Sequence, residues 1–262
     1  MTHPPPGHGT RPRRASPKPA RHALTRRATA AALALARRHG LPAGDDPAVL
    51  GNVFSLTLHL RPAPVVARVA TRMPRLRSPI GDWLRMELEV TAYLAAQGAP
   101  VVSPSAELPP GPHLEDGFAI SFWTWLEPDP DRVATTADCA AMLGDLHAVL
   151  RTYPGELPLM CANDVPRGLA LLDATGDVLS PAEKDLVRSA AAELAPFMAA
   201  PPGDLQPLHG DAYPANLLAT RRAGLVWIDF EDVCRGPVEW DLATMMDAGV
   251  VRDLLPALAA HR

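Results

Sequence analysis

Five polar side chains punctuate the apolar stretch PLHGDAYPANLLATRRAGLVWIDFEDVCRGPVEWDLA, residues 207–243: His209, Asp211, Asn216, Asp229 and Asp241. Asp211 follows His209 by two positions, and Asn216 follows Asp211 by five. LLAT and LVWIDF flank a turn-like RRAG, which predicts a short hairpin with Asp229 at its far end. A loop carrying Asp and Asn, followed by a hairpin that returns a second Asp, can bring three oxygen-bearing groups to one point. Hard divalent cations such as Mg²⁺ prefer such oxygen ligands. A carboxylate within reach of a hydroxyl can also accept its proton. One Asp at a turn is ordinary turn chemistry; four polar groups at these intervals are not.

The same spacing resembles the catalytic loop of kinases, where an Asp takes the hydroxyl proton and an Asn five residues later binds metal. A further Asp at a strand end then binds the Mg²⁺ that bridges the nucleotide phosphates. Here the loop reads His-Gly-Asp and the metal motif Asp-Phe-Glu, with GPVEWDLA downstream. That combination resembles the aminoglycoside phosphotransferase and choline kinase group of the protein-kinase-like superfamily, and the likeness extends over about residues 45–247 through VVARVA, MELEVTAYLAAQGAPVVSP and LGDLHAVL. The resemblance implies Asp211 as catalytic base, Asn216 and Asp229 as Mg²⁺ ligands, and His209 as a structural member of the catalytic loop. Asp241 is similar to a buried Asp that ties that loop from below; a helix N-cap for LATMMDAG is the alternative. His147, in LGDLHAVL, is read as a core histidine and not a catalytic one.

A kinase-like site also needs a cation on the phosphates and a carboxylate to hold it. In PVVARVAT strand alternation puts Val66, Arg68 and Ala70 on one face. The resemblance places Arg68 where relatives commonly carry Lys, and a planar fork does not act as a point charge does. An edge-strand arginine reaching into water is the alternative. Glu87 falls in line with Trp83, Val90 and Leu94 at helical spacing, so it is expected to point inward to Arg68. Glu89 lines up with Arg85 instead, an ordinary surface pair. Gly51 and Asn52, in GNVFSL, are the candidate phosphate turn between the first two strands. SFWTWLE resembles the hinge that meets the nucleotide base, with Trp123 as its candidate contact.

The elements that must carry these groups are legible in outline. GNVFSLTLHLRPAPVVARVAT predicts two or three antiparallel strands turning at RPAP, and FAISFWTWLE another strand. GDWLRMELEVTAYLAAQG predicts a helix capped by Asp82 and stopped by Gly98. TTADCAAMLGDLHAVLRTY opens with a capping Thr, and SPAEKDLVRSAAAELAPFM carries a capping box, Ser180 with Glu183, and Pro181 at its first position. HALTRRATAAALALARRHGL predicts a first helix ending at Gly40. The expected fold class is therefore α+β: a two-lobe protein-kinase-like fold with a small antiparallel N-terminal sheet, one key helix and a mostly helical second lobe. The expected division is a basic, Pro-rich, disordered tail over 1–22, a nucleotide-binding lobe over 23–126 and a catalytic, acceptor-binding lobe over 127–262.

The 262 residues are 47% hydrophobic, enough for two lobes with real cores. No apolar run approaches the roughly 20 residues that cross a bilayer, so no membrane partner and a cytoplasmic location are expected. Cys139, Cys161 and Cys234 are too scattered for a disulfide framework or a thiolate metal site. The net charge of −4 conceals an asymmetry: residues 1–40 hold nine basic and no acidic side chains, so the rest of the chain is strongly acidic. The basic tail is read as solvated and not as a nucleic-acid arm. ATP, with GTP as an alternative, Mg²⁺ and a small hydroxyl acceptor are the partners that the resemblance implies, and an acidic body with WLEPDPD at its surface suits a cationic acceptor. Only 21 residues follow Asp241, fewer than in the relatives it resembles, so the acceptor site is expected to be small, open, completed by a partner chain, or missing. A weak or inactive nucleotide-binding protein on the same fold is the alternative function.

Overall fold

Alternating apolar residues between 48 and 69 build the first half of a sheet. In the computed structural model, residues 18–75, 77–160 and 164–246 are described. Five antiparallel strands, β1 (Ala48–Asn52), β2 (Leu56–His59), β3 (Val65–Val69), β4 (His113–Glu115) and β5 (Phe118–Thr124), lie in the order β1-β2-β3-β5-β4. Leu56, Leu58, Val65, Ala67 and Val69 point to one face and are fully buried. Helix α1 (Lys18–Arg38) covers that face with Ala28, Ala31, Ala32, Leu35 and Ala36, whose small side chains let it lie close to Ile120 and Phe122. It ends as the sequence predicts, at Gly40 in the left-handed region with φ 80°. It begins at Lys18, inside the span read as tail; residues 1–17 lie outside the described residues.

Helix α2 (Ile80–Ala96) follows the third strand. Pro79, not Asp82, occupies its N-cap position, and Asp82 sits in the first turn, where its carboxylate accepts from Arg85 at 2.7 Å. A proline just ahead of the first turn has a preset φ and sets the entry without a side-chain cap. Arg85 is thus engaged by Asp82, not by Glu89 as expected, and Glu89 is exposed. The opposite face of α2 buries Glu87, Val90 and Leu94.

The second half is built on α3 (Thr136–Leu150), α4 (Asp164–Leu171), α5 (Pro181–Ala199), the pair β6 (Gln206–Leu208) and β9 (Cys234–Gly236), the hairpin β7 (Leu217–Thr220) and β8 (Gly224–Trp227), and α6 (Glu239–Thr244). Its core joins Val90 and Leu94 of α2 to Leu143, Leu146 and Leu150 of α3 and to Leu217, Trp227 and Phe230 around the hairpin. This packing fixes the chemistry-bearing stretch against both the sheet's helix and the helical half. The capping boxes of Thr135 with Asp138 and Ser180 with Glu183 both form. Cys139 and Cys234 are buried, and Cys161 lies outside the described residues. Among the described residues no helix is long and apolar enough to cross a membrane.

Phe122 is the side chain that ties α1 to the sheet centre. Phe122→Ala should lower unfolding stability by about 3–5 kcal/mol, read as a shifted denaturation midpoint at constant slope; a loss below about 1 kcal/mol would contradict this packing.

Candidate active site

Asp241 has no exposed surface, so its carboxylate must find partners inside the protein. It finds three. The backbone N–H groups of His209 and Gly210 each donate to it at 2.8 Å, and so does Nε2 of His147 at 2.8 Å. Asp241 lies within α6 and is not its N-cap, so the loop-tying reading describes it and the capping alternative does not. The indole of Trp240 adds a bond to the Gly210 carbonyl at 2.9 Å. His147 belongs to this tie, a partnership the spacing of LGDLHAVL did not reveal.

His209 is wholly buried between Trp227 and Phe230. Burial holds its pKa below the usual histidine value, against the pull of Asp241, the Ile228 carbonyl, Asp229 and Asp211. The neutral ring donates from Nε2 to the Ile228 carbonyl at 3.1 Å, and its Nδ1 accepts the Asp211 N–H at 3.4 Å. One imidazole therefore spans the two loops, bonding the residue before Asp229 and the backbone of Asp211.

Asn216 Nδ2 donates to the Asp211 carbonyl at 2.8 Å and to the Asp211 carboxylate at 3.0 Å. Its own carbonyl accepts the Ile228 N–H at 3.0 Å, which sets the Asp211 loop beside the strand end that carries Asp229. Asp229 is left-handed, with φ 66° and ψ 57°. A non-glycine residue held there carries about 1–2 kcal/mol of strain. Both Asp211 and Asp229 act electrostatically on Tyr213, whose pKa is raised mainly by burial and further by the two carboxylates.

On the sheet side, Arg68 Nη1 donates to Glu87 Oε1 at 2.6 Å, as expected. The guanidinium reaches further than expected. Nη2 forms an ion pair with Glu231 and lies 2.9 Å from Asp229 Oδ1, without the geometry of a hydrogen bond. Burial opposes the Arg68 charge, but Glu87 and Asp229 outweigh it and raise its pKa. A second buried guanidinium, Arg77, pairs with Asp232, donates to the Glu231 carbonyl at 3.0 Å and lies 3.4 Å from Glu231 Oε1. Sequence reasoning missed Arg77 and Glu231. Arg77 sits in the irregular MPRLRSP segment, where no periodicity marks an inward side chain; Glu231 was visible only as an acid next to the metal motif.

A cavity of about 590 Å³ lies between these groups. Arg68, Glu87, Thr91, Asp229 and Glu231 line one part, and Val66, Val102, Trp123, Trp125, Leu126 and Ile228 form an apolar remainder. Gly51, Asn52 and Trp123 line it too. Gly51 and Asn52 do so from inside β1, paired with Thr57 and Leu56 across an irregular register. The turn itself is Val53–Ser55, because the Asn52–Leu56 pairing leaves only those three residues for the connection. Asp211, Asn216 and His209 do not line the cavity; they meet it through Asp229.

Whether a divalent cation suits this site can be judged from its donors. Among the described residues no group of three or more His, Cys, Asp and Glu is arranged to hold a metal. Asp211, Asn216 and Asp229 instead supply two carboxylates and an amide, with Asn216 turning its nitrogen to Asp211. Asp229 Oδ1 and Glu87 Oε2 are buried without hydrogen-bond partners. Among the described residues two guanidiniums face four carboxylates, Glu87, Asp229, Glu231 and Asp232, so formal negative charge exceeds positive there. Oxygen donors, a buried Asp229 oxygen with no hydrogen bond and an excess of carboxylates fit a hard divalent cation.

The sheet, the inward Glu87–Arg68 pair and the paired loops define a protein-kinase-like fold. Similar solved structures share it, all at identities that speak to fold alone. An amicoumacin kinase, hAmiN, in complex with AMP-PNP, Ca²⁺ and Ami, is 15% identical with a TM-score of 0.59 over 81% of this chain and 67% of that one. An aminoglycoside-3'-phosphotransferase of type VIII is 23% identical, TM-score 0.56, over 83% and 82%. Choline kinase LicA from Streptococcus pneumoniae is 16% identical, TM-score 0.56, over 86% and 78%. A search of curated protein sequences gave no match. The profile of the phosphotransferase enzyme family matches residues 77–262, and the chain belongs to that family.

Burial pushes the pKa of Glu87 up to about 7; the nearby Arg68 pulls it down and Asp229 adds to the rise. Arg68 is shared among three carboxylates, so its pull does not cancel the burial. The folded state then binds this proton more tightly than the unfolded chain. Stability contributed by Glu87 is complete below its ordinary carboxylate pKa and is lost as pH rises toward 7, with a slope of at most about 1.4 kcal/mol per pH unit. Metal-free protein should therefore show this fall in denaturation midpoint between about pH 5 and 7, and Glu87→Gln should flatten it. An identical pH profile in the variant would contradict the assignment.

Proposed function

We propose that the protein is an ATP-dependent small-molecule phosphotransferase that moves the γ-phosphoryl group of ATP to a hydroxyl of a small acceptor, with GTP as the alternative donor. The observation that carries this reading is the junction of the two loops: Asn216 bonds Asp211 with its side chain and Ile228 with its backbone, so base and metal carboxylates belong to one bonded unit beside the cavity. Family membership supports the transfer chemistry; donor, acceptor and residue roles are the proposal.

In this reading the base lies in the apolar part of the cavity between Val66, Trp123 and Ile228, with Gly51 and Asn52 near the phosphates. The lobe boundary near residue 126 then separates nucleotide binding from acceptor binding. Asn216 and Asp229 are the residues that would hold Mg²⁺. A bound divalent cation would supply charge neutralisation for the phosphate oxygens. Arg68, held by Glu87, orients the phosphates, and Asp211 orients the acceptor hydroxyl. As the acceptor oxygen bonds phosphorus, the bond from phosphorus to the leaving ADP oxygen breaks and the hydroxyl proton passes to Asp211. His209, neutral and buried, keeps the loop in place and handles no proton. Asp131, exposed close to where Leu126 and Pro128 line the cavity, favours a cationic acceptor.

One observation favours a second reading, a weak or inactive nucleotide-binding protein: Arg68 lies against Asp229. A guanidinium there competes with a metal ion for the same oxygen.

Purified protein with ATP and Mg²⁺ should phosphorylate at least one member of a panel of small hydroxyl compounds, scored by product mass. Asp211→Asn should lose about 10²-fold or more of that turnover while retaining nucleotide binding. Nucleotide binding without any product would establish the second reading, and undiminished turnover in Asp211→Asn would remove Asp211 from its role.

A further inference from the structure

Arg77 is the buried charge that the proposed chemistry leaves unused. Its side chain is 8% exposed, and its guanidinium carbon lies 4.8 Å from the centre of the Trp83 ring. Trp83 belongs to α2, the helix that also supplies Glu87, so the stack fixes Arg77 relative to that helix. From there the fork grips the two residues that follow Phe230. It donates to the Glu231 carbonyl at 3.0 Å, lies 3.4 Å from Glu231 Oε1 and pairs with Asp232.

Those two residues are the join between the carboxylate loops. Glu231 is also the ion-pair partner of Arg68, so Arg77 holds the acid on which Arg68 rests. Asp232 packs by its backbone carbonyl against Gly210, so closely that a Cβ on Gly210 would collide with it. Gly210 has φ 88° and immediately precedes Asp211. A non-glycine residue would be strained in that conformation and obstructed in that space. A continuous set of contacts thus runs from Trp83 through Arg77 and Asp232 to Gly210 and Asp211, with Asp229 on the same short segment as Glu231.

We propose that Arg77 is a positioning residue for the divalent-metal site: by clamping Glu231 and Asp232 to α2 it sets the spacing of Asp229 from Asp211 and holds Glu231 as the partner to which Arg68 stays paired when the ion takes its place against Asp229. This assignment rests on the nucleotide and metal reading given above. It makes the clamp specific to a fork, because a lysine cannot reach the Glu231 carbonyl and Asp232 together while stacking on an indole.

The test uses Mn²⁺ as the probe. Binding of Mn²⁺ to the full chain with saturating ADP is followed by loss of the free-ion electron paramagnetic resonance signal, and ADP binding without metal is measured separately by calorimetry. Arg77→Met should loosen Mn²⁺ by about 10–100-fold, the range for lost support of a metal ligand. Arg77→Lys should recover part of that loss. Metal-free ADP affinity should stay at the wild-type value in both. Wild-type Mn²⁺ affinity in both variants, or a fall in metal-free ADP binding in step with Mn²⁺, would overturn the assignment, the second pattern being that of general structural damage. Should Arg77→Met fail to fold, Arg77→Lys decides alone, and an unchanged Mn²⁺ affinity overturns the proposal. A wild-type protein that binds no ADP at all would instead remove the nucleotide reading and this assignment with it.

Discussion

Charge taken out of water must be matched by charge or hydrogen bonds, and the centre of this protein is organised by that requirement. Two guanidiniums, Arg68 and Arg77, stand among four carboxylates drawn from α2 and from the segment after β8. Neither arginine serves a single partner. Arg68 is divided among Glu87, Glu231 and Asp229, and Arg77 between Glu231 and Asp232. The sharing links sheet, helix and loop, yet leaves negative charge uncompensated. Burial, with Asp229 adding to it, pushes the pKa of Glu87 up to about 7, and Asp229 Oδ1 is buried with the Arg68 guanidinium against it but no hydrogen bond. In the proposed reading a divalent cation bound beside Asp229 would offset that negative charge.

The helical half answers with a different device. Asp241 is satisfied by two backbone N–H groups and one imidazole, all within the protein, and needs no cation. It holds the backbone of His209 and Gly210, while the neutral His209 ring bonds the neighbouring strand end. The two residues before Asp211 are thereby fixed: the His209 and Gly210 amides bond Asp241, and Gly210 packs against the Asp232 backbone. In the proposed reading, this would place the base, Asp211, rigidly, as catalysis by positioning requires.

Much of this was legible in residue types and spacing. Strand alternation put Val66 and Arg68 on one face, and in the structure both line the cavity while Val65, Ala67 and Val69 are buried on the other. Helical phase chose Glu87 over Glu89, and the structure buries the first and exposes the second. What escaped depends on contacts between distant segments. Arg77 and Asp232 are 155 positions apart and meet through an irregular loop that no period describes. The helix start at Pro79 instead of Asp82 reflects backbone preset overriding side-chain capping. The turn at Val53–Ser55 instead of Gly51 reflects pairing register, which a lone glycine does not determine. His147 looked like a core histidine and is one, but its partner lies 94 positions downstream.

The central claim is that the charge deficit between the two loops is a divalent-cation site. A crystal structure of the protein with AMP-PNP and Mn²⁺, with anomalous data collected for manganese, tests it most directly. The account predicts an anomalous peak between the Asn216 and Asp229 oxygens, with Arg68 withdrawn from Asp229 and still paired with Glu87 and Glu231. Density for the nucleotide with no peak there, and Arg68 still lying against Asp229, would contradict it.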